Sequence, residues 1–460
     1  MITRTVARQT LGEALRSGGD FAELFAQDKR TGSLLLRDTC VDSANTGRRH
    51  GAGIRVFKGL SSVYVYTNDT SPGGLTAAAR KAADAIGSLN APVDVQLNRS
   101  VIRNVHAYQI MPMDVPGARK AQLLRSASAA AKAYSPEISQ ARSSLTWSES
   151  DVLIANSEGL FTGDTRVYTQ FRVAAIASGK GENQTGSSRP GALMGYELFQ
   201  TRVDVEACAR DAARQAVTML HADACPAGFM PVVIDGGFGG VIFHEACGHS
   251  LEAAAVAFGN SEFCGKLGQM IASPRVTAVD DGTLENEWGS SNIDDEGTPT
   301  TRLVLIENGI LKNYMVDRMG GRRMGAAMTG SGRRQDYTYA ATSRMRNTYI
   351  AAGEDDEREI IASCPDGLYA KAMGGGSVNP STGEFNFAVQ EGYLIRDGKV
   401  DRPVRGATLI GRGADILPKI DRVGRHMWME QGVCGASSGS IPTNVGQPMI
   451  RITGITVGGR

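Results

Sequence analysis

The pattern of apolar residues changes near residue 225, and this change constrains the fold more than any other feature of the chain. Before it, Ala-rich segments typical of helices alternate with segments rich in Val, Ile and Tyr that are typical of strands. The predicted helices span 10–29, 73–89, 116–134 and 204–220. The predicted strands span 33–40, 51–59, 61–69, 143–159 and 165–178.

The second part of the chain is predicted to be largely β. Asn308-Gly309 and Asp397-Gly398 each separate two apolar runs, which is the strongest short-range signal for a hairpin. The 56 glycines of the 460 residues also favour turns and bulges over a helix bundle. The segment "ADACPAGFMP" at 222–231 is a Gly- and Pro-bearing connector. We therefore predict an α+β protein, with an N-terminal α/β domain at 1–225, its helices on sheets, and a largely β C-terminal domain at 226–460.

Charge and cysteine usage exclude several classes of partner. The chain carries 49 basic and 48 acidic residues with no basic tract, which argues against nucleic acid and anionic membranes as partners. No secretory signal and no apolar run of 18 residues is present, so we expect no membrane span. The seven cysteines are scattered without a C-x-x-C pair, which indicates a reducing, cytoplasmic location.

The stretch "FHEACGHSLE" contains the residues most suited to chemistry. His244 and His249 are five residues apart, with Glu245 beside the first. The H-E-x-x-H signature of zinc peptidases has its histidines four apart on one helix face. Five residues on a regular α-helix leave two side chains about 140° apart. A π-type widening near Ala246–Gly248 would let both imidazoles reach one ion, so a shared metal site predicts such a turn.

Zinc fits these residue types, and the spacing leaves the third ligand open. A catalytic zinc takes three protein ligands and keeps one open position. Glu245 could hold the metal-bound water and accept its proton. The alternative is two ordinary helix histidines near a turn. The candidate third ligands are Glu252, Cys247, His426 and Cys434.

The "GGFGG" segment at 236–240 precedes the predicted helix and raises a second alternative. A glycine-rich turn before a helix can cradle phosphate. This segment lacks both the G-K-[ST] ending of a P-loop and the G-x-G-x-x-G spacing. We therefore interpret it as a tight strand-to-helix turn.

Several longer stretches resemble the TldD/PmbA family of zinc metallopeptidases. These are "GAGIRVFKG", "VVIDGGFGGVIFHEACGHSLE", "DDEGTPTTRLVLIENGILKNYMVDR", "GSGRRQDY", "MRNTYI" and "GVCGASSGSIPTNVGQPMIRITGITVGG". The resemblance covers nearly the whole chain. The complete H-E-x-x-x-H motif makes the chain similar to the TldD type, because PmbA-type partners lack this motif.

The resemblance implies a zinc-binding helix and a particular set of site residues. Zinc would be held by His244, His249 and Cys434, with Glu245 as the general base. Cys247 would then be incidental. The implied substrates are short or unfolded peptides, and the implied assembly is a homodimer or a heterodimer with a PmbA-type subunit.

The arginine stretch departs from the family pattern, which commonly reads G-R-R-E-S-Y-A-H-R-P. Here Gln335 replaces the acid and Tyr339 stands where a histidine is usual. Tyr339 could donate a hydrogen bond to an oxyanion. Arg333 and Arg334 could bind substrate carbonyls or a terminal carboxylate, or they could form a structural pair. A non-catalytic, peptide-binding subunit with a purely structural zinc is the alternative function, although a structural site needs no base.

Overall fold

A computed structural model describes residues 2–91, 93–179, 181–379 and 382–459. The elements of the first part are listed here in chain order. The helices are α1 (Arg4–Leu15), α2 (Pro72–Ile86), α3 (Gly117–Tyr134), α4 (Leu198–Thr201) and α5 (Val205–Leu220), with a 3-10 turn at Pro112–Asp114. The strands are β1 (Phe21–Arg37), β2 (Cys40–Lys58), β3 (Ser61–Thr67), β4 (Asn98–Arg99), β5 (Ile138–Asn156), β6 (Leu160–Gly179), β7 (Glu182–Ser188) and β8 (Gly191–Ala192).

The second part contains many strands and only short helices. The strands are β9 (Asp223–Ala224), β10 (Gly228–Ile234), β11 (Ala278–Asp281), β12 (Arg302–Glu307), β13 (Ile310–Leu311), β14 (Gly332–Arg333), β15 (Thr342–Ser343), β16 (Asn347–Ile350), β17 (Asp366–Asn379), β18 (Glu384–Arg396), β19 (Lys399–Arg405), β20 (Thr408–Arg412), β21 (Ile420–Val423), β22 (Trp428–Ala436), β23 (Gly439–Gln447) and β24 (Ile450–Gly458). The helices are α6 (Val241–Phe243), α7 (Ala253–Val256), α8 (Arg318–Met324), α9 (Glu357–Ala362) and α10 (Gly413–Ile416). Single turns of 3-10 helix lie at Gly237–Gly240, His249–Leu251 and Leu417–Lys419, and a π turn lies at His244–Gly248.

The first eight strands form one sheet in the order β3-β2-β1-β5-β6-β4, with β7 and β8 beside β6. Leu24 and Leu34 of β1 are an even number of residues apart and therefore share one face of the sheet. Leu24 packs with α1 and α2, and Leu34 packs with α3 and α5. Two helix pairs thus cover the two ends of the same face. The opposite face packs on the second part of the chain, where Phe25 contacts the cluster of Ile293 and Tyr337.

The second part is built on two larger sheets that share one apolar core. In the first, strands β17, β10, β24, β20 and β18 follow one another, and β18 pairs again with β17, so the sheet closes into a ring. The second has the order β13-β12-β11-β16-β23-β22, which leaves β22 at its edge. The core between them includes Phe243 and Leu251, which flank the histidine turn. The site is therefore anchored on both of its sides by buried apolar residues.

The α+β fold is confirmed, and both predicted hairpin turns are present. Asn308 and Gly309 have φ of 48° and 84°, and Asp397 and Gly398 have 49° and 71°. Positive φ at both central residues is what such two-residue hairpin loops require. No helix in the described ranges is both long enough and apolar enough to cross a membrane.

The helix predicted over residues 10–29 is wrong in its second half. Helix α1 ends at Leu15, and β1 begins at Phe21 after a break at Gly18, whose φ is 88°. The residues from Phe21 to Gln27 are all buried, because helices cover one face of β1 and the second part of the chain covers the other. A strand covered on both faces shows no alternation of apolar and polar residues, and its pattern cannot be distinguished from that of a buried helix.

Candidate metal centre

The strand β10 leads into the histidine segment through a tight turn. Gly237 has a φ of +63°, and a Cβ at Gly240 would lie 2.5 Å from the carbonyl oxygen of Gly446. Both positions therefore require glycine. The "GGFGG" segment is thus a strand-to-helix turn, as the sequence indicated, and it is held closely against β23.

The helix widens at the predicted place. Residues His244–Gly248 form a π turn, and the N–H of His249 donates to the carbonyl of His244, five residues earlier. The prediction of a π-type widening is confirmed. The wider turn brings the two imidazoles to the same side, with ring centroids 5.0 Å apart and ring planes at 87°.

Cys434 joins the two histidines from a distant part of the chain. It lies on the edge strand β22, and its Sγ is 3.3 Å from Nε2 of His244 and 3.2 Å from Nε2 of His249. The three donor atoms all lie within 4.8 Å of one another. Around a tetrahedral zinc, bonds of ~2.05 Å to nitrogen and ~2.3 Å to sulfur place N and S roughly 3.5 Å apart. The three side chains therefore match the donor set of a zinc centre.

The electrostatics of the cluster favour a thiolate. Burial alone would raise the pKa of the Cys434 thiol, but the two imidazoles lower this pKa to about 3. The thiolate is the form of cysteine that binds metals. Burial also works against a charged His249, yet Glu252 and Cys434 together raise the pKa of this histidine.

Glu245 lies beside the three donors and faces a cleft. Its Oε2 is 3.7 Å from Nε2 of His249, and it does not belong to the close donor group. The cleft has a volume of about 390 Å³ and lies where β6 approaches the ring and β22. His244, Glu245 and Cys434 all line it. A carboxylate in this position can reach a group bound in the cleft without occupying a metal position.

Glu252 lies behind His249 and is not part of the donor group. One of its oxygens is 3.1 Å from Nδ1 of His249, and the other accepts the backbone N–H of Met345 at 3.2 Å. A carboxylate on the far nitrogen fixes the ring orientation of a metal-binding histidine. Among the described side chains, Nδ1 of His244 has no hydrogen-bond partner, so the two histidines differ in this support.

The other two candidate third ligands lie outside the cluster. Cys247 is fully buried in the apolar core, and burial raises the pKa of its thiol well above the usual value. His426 is largely exposed and pairs with Glu357 through Nδ1 at 3.0 Å. Within the described residues, Cys434 alone of the four candidates joins the histidines.

The structure places Arg333 and Arg334 in internal contacts, which favours the structural alternative over substrate binding. Arg333 donates to the carbonyl oxygens of Met345 and Pro442 at 2.5 and 2.7 Å. Arg334 pairs with Glu23 at 2.8 Å, and neither side chain of this pair is more than 2% exposed. The guanidinium of Arg334 is already neutralised by a buried carboxylate and has little left to offer a substrate.

Tyr339 is also away from the metal cluster. Its N–H donates to the carbonyl of Asp336, and its own carbonyl accepts from Arg334 at 3.5 Å. It is not among the residues that line the cleft. Gln335, four residues earlier, contacts the β22–β23 hairpin. Its N–H donates to the carbonyl of Ser438, and its Oε1 accepts the N–H of Ser440. This stretch therefore braces the hairpin that carries Cys434.

Sequence reasoning missed Arg344, which holds Cys434 in place. The side chain is fully buried and donates to the carbonyl of Cys434 at 2.6 Å and to the hydroxyl of Ser438 at 2.9 Å. Its Nε lies 4.0 Å from Oε1 of Glu252. One arginine thus links the cysteine strand to the carboxylate behind His249. The only signal in the sequence is a basic residue amid strand-forming residues in "SRMRNTYI".

Family models match most of the chain. The PmbA/TldA metallopeptidase C-terminal domain matches residues 227–459, the central domain matches 112–220, and domain 1 matches 22–86. The chain therefore belongs to the PmbA/TldD metallopeptidase family, which confirms the resemblance noted in the sequence.

Individual relatives agree with this assignment. The "Metalloprotease TldD homolog" of Haemophilus influenzae is 36% identical over 455 residues, with 96% of this chain and 93% of that protein covered. The "Zinc metalloprotease TldD homolog" of Saccharolobus solfataricus is 30% identical over 268 residues, covering 58% and 59%. The crystal structure of TldE from Thermococcus kodakarensis has a TM-score of 0.72 at 19% identity, covering 95% and 97%, and shares the fold.

Proposed function

We propose that this protein is a zinc-dependent peptidase of the TldD type. The observation that carries the proposal is the convergence of His244, His249 and Cys434, with Glu245 beside them at the edge of a cleft. The name of the Saccharolobus relative, a zinc metalloprotease, supports the choice of metal. Two imidazoles and a thiolate are also a donor set that zinc accepts.

In this proposal the chain's own residues divide the chemistry between them. His244, His249 and Cys434 would hold the zinc, which when bound acidifies a water and polarises the scissile carbonyl. Glu245 would accept a proton from the attacking water and would pass it to the leaving amine. Glu252 keeps Nε2 of His249 directed at the cluster. Arg344 fixes the backbone at Cys434.

The number of donors favours catalysis over a structural zinc. Structural zinc sites are closed by four protein ligands, whereas catalytic sites keep one position open. The close group in the described chain has three members, and the carboxylate beside it lines an open cleft. This arrangement supports the peptidase over the alternative of a non-catalytic subunit.

The proposed substrate is a short or unfolded peptide bound in extended form. Strand β10 pairs with β17 only from Leu368 to Ala370, and beyond Ala372 the described part of β17 pairs with β18 alone. Gly375 and Gly376 in this stretch line the cleft. A strand edge with small residues lets a peptide add by backbone hydrogen bonds, which gives affinity without strict sequence preference. A folded protein cannot present such a strand.

The proposed assembly is a closed two-fold dimer, either of this chain or with a PmbA-type subunit. The support is the family and the shared fold with a solved TldE. Closed two-fold pairs are the commonest protein oligomers. Light scattering should therefore give about twice the chain mass of 48.7 kDa, and a monomeric mass would refute the homodimer. The seven cysteines, all free, support the proposal of a reducing, cytoplasmic setting.

The decisive experiment combines metal analysis with Glu245→Gln. The purified protein should contain about one zinc per chain and hydrolyse casein, and a chelator should abolish this activity. The Glu245→Gln variant should keep its zinc while the rate falls about 10²- to 10⁴-fold, the range of a lost general base. If the variant loses zinc, Glu245 is a ligand. If zinc is present but unfolded peptides are never cleaved, with or without a PmbA-type partner, the zinc is structural.

A further inference from the structure

Two arginines line the cleft beside the candidate metal centre. Arg172 lies on β6, and Arg189 lies in the short segment between β7 and β8. Both border the same cleft as His244, Glu245 and Cys434, although they come from the first part of the chain. The cleft thus has a metal-binding wall from one part of the chain and a basic wall from the other.

Neither arginine has a carboxylate partner within 4.0 Å among the described ion pairs. This distinguishes them from Arg166, which pairs with Asp295 at 2.6 Å, and Arg214, which pairs with Glu391 at 2.8 Å. Within the described residues, Glu245 is the only acid that lines the cleft. The two guanidiniums are therefore not neutralised by a neighbouring acid of the cleft.

Arg189 is also held in a defined position. Its guanidinium lies over the ring of Phe238, 4.1 Å from the centroid. Stacking fixes the plane of the guanidinium and leaves its edges, with their N–H donors, free for another group. Burial lowers the pKa of Arg189, and Glu430 opposes this at a distance, beyond ion-pair contact. An arginine that is partly buried and unpaired gains more from an incoming anion than a solvated one does.

We propose that Arg172 and Arg189 form a carboxylate-binding subsite for the peptide substrate. The inference rests on the proposed peptidase function, and it adds a preference for peptides that carry a carboxylate next to the cleaved bond. Guanidinium–carboxylate pairs are among the stronger polar contacts and are often bidentate. Backbone pairing along β17 would bind any extended peptide, and the two arginines would select among them.

A peptide has two sources of carboxylate, an acidic side chain and its own C-terminus. Three peptides of otherwise identical sequence separate them. The first has a central Glu and an amidated C-terminus, the second has Gln in its place and an amidated C-terminus, and the third has Gln and a free C-terminal carboxylate. The quantity to measure is the ratio of kcat/KM for each charged peptide to kcat/KM for the neutral peptide.

The test compares the native protein with Arg172→Gln/Arg189→Gln. We expect the native protein to prefer at least one charged peptide by about tenfold or more, and the double variant to show a ratio near one. The preference should also weaken with added salt, because the subsite is open to solvent. Arg80→Gln is the matched control, since Arg80 pairs with Glu13 at the other end of the sheet. Its ratio should equal that of the native protein.

Binding measurements keep this inference separate from the proposed function. Fluorescence polarisation of the three labelled peptides needs no hydrolysis, so the preference can be measured even if no peptide is cleaved. Equal affinities for all three peptides, or a preference that survives in the double variant, would overturn the subsite. Charge-selective binding without any cleavage, with or without a PmbA-type partner, would support the subsite and refute the peptidase.

Discussion

The turn at Phe243–Glu252 and the stretch at Gly332–Tyr339 both contain residue types that suit catalysis, but the structure uses them differently. In the first, two imidazoles and a distant thiolate converge with their donor atoms directed at one another. In the second, each arginine is engaged by protein groups, namely carbonyls for Arg333 and a buried carboxylate for Arg334.

The two regions differ in the partners of their polar atoms and not in how deeply they are buried. Both regions are largely buried, and a buried polar group must be satisfied by some partner. Around the histidine turn, three donor atoms form a close group that suits a metal. Around the arginine stretch, the partners are the protein itself, and the bonds connect the N-terminal sheet to the β22–β23 hairpin. One region brings together three donor atoms of the kind that bind metals, and the other braces the hairpin that carries one of them.

The largest expected effect comes from Cys434→Ser. Loss of a group that merely orients a metal ligand weakens metal affinity 10- to 100-fold, so loss of a ligand should weaken zinc binding more than about 100-fold. The variant should lose its zinc on dialysis, as measured by metal analysis, and should lose hydrolysis with it. Cys247→Ser is the matched control, because Cys247 lies in the same turn but in the apolar core. Zinc loss in the control and not in Cys434→Ser would reverse the assignment of the ligand.

Arg334→Met should give the next largest effect, which is a loss of folding stability. Its partner Glu23 would be left charged and buried, and breaking a buried pair destabilises by about 3–5 kcal/mol. Denaturant unfolding should show this loss, while the zinc content of the folded fraction stays near one per chain. The double variant Glu23→Leu/Arg334→Met should recover part of the loss, since no unpaired charge remains. If instead Arg334→Met leaves stability intact and raises KM, Arg334 binds substrate.

Local patterns in the sequence predicted some features well. Helix α3 was placed within a residue of its bounds, because an Ala-rich run fills it and Ser135-Pro136 follows it. The π turn was predicted from the five-residue spacing of the histidines, on the assumption that both bind one metal ion. These features depend on residues that are close in sequence.

Features that depend on distant partners were not accessible from the sequence. Cys434 lies 185 residues after His249, so its place in the cluster came from the family resemblance and not from spacing. Arg334 and Glu23 are 311 residues apart, and nothing local to "GRRQDY" shows that this arginine is already paired. The same cause misassigned β1, whose two buried faces belong to different parts of the chain.

Glu252→Gln should have a smaller effect than loss of a ligand. The variant keeps a hydrogen-bond acceptor for Nδ1 of His249 but removes the negative charge that raises the basicity of the ring. We expect zinc affinity to fall about 10- to 100-fold, as measured by competition with a chelating indicator. Glu245→Gln is the reference, because it changes a carboxylate on the cleft side and should leave affinity near the native value. An equal loss in both variants would mean that any negative charge near the cluster raises affinity, and that the contact of Glu252 with Nδ1 of His249 has no special role.

Tyr339→Phe should have the smallest effect. It tests whether the last residue of the stretch Gly332–Tyr339 acts on substrate. The described contacts of Tyr339 are made by its backbone, and its side chain is not among those lining the cleft. Removing the hydroxyl should therefore change kcat/KM on an unfolded peptide less than about twofold, because surface changes that lose no buried partner are small. If Tyr339 instead donates a hydrogen bond to an oxyanion, its loss should lower kcat about 10²- to 10³-fold. A fall of that size with zinc retained would show that Tyr339 reaches the cleft when substrate binds. The stretch would then act on the substrate as well as brace the hairpin, and the contrast between the two regions would not hold.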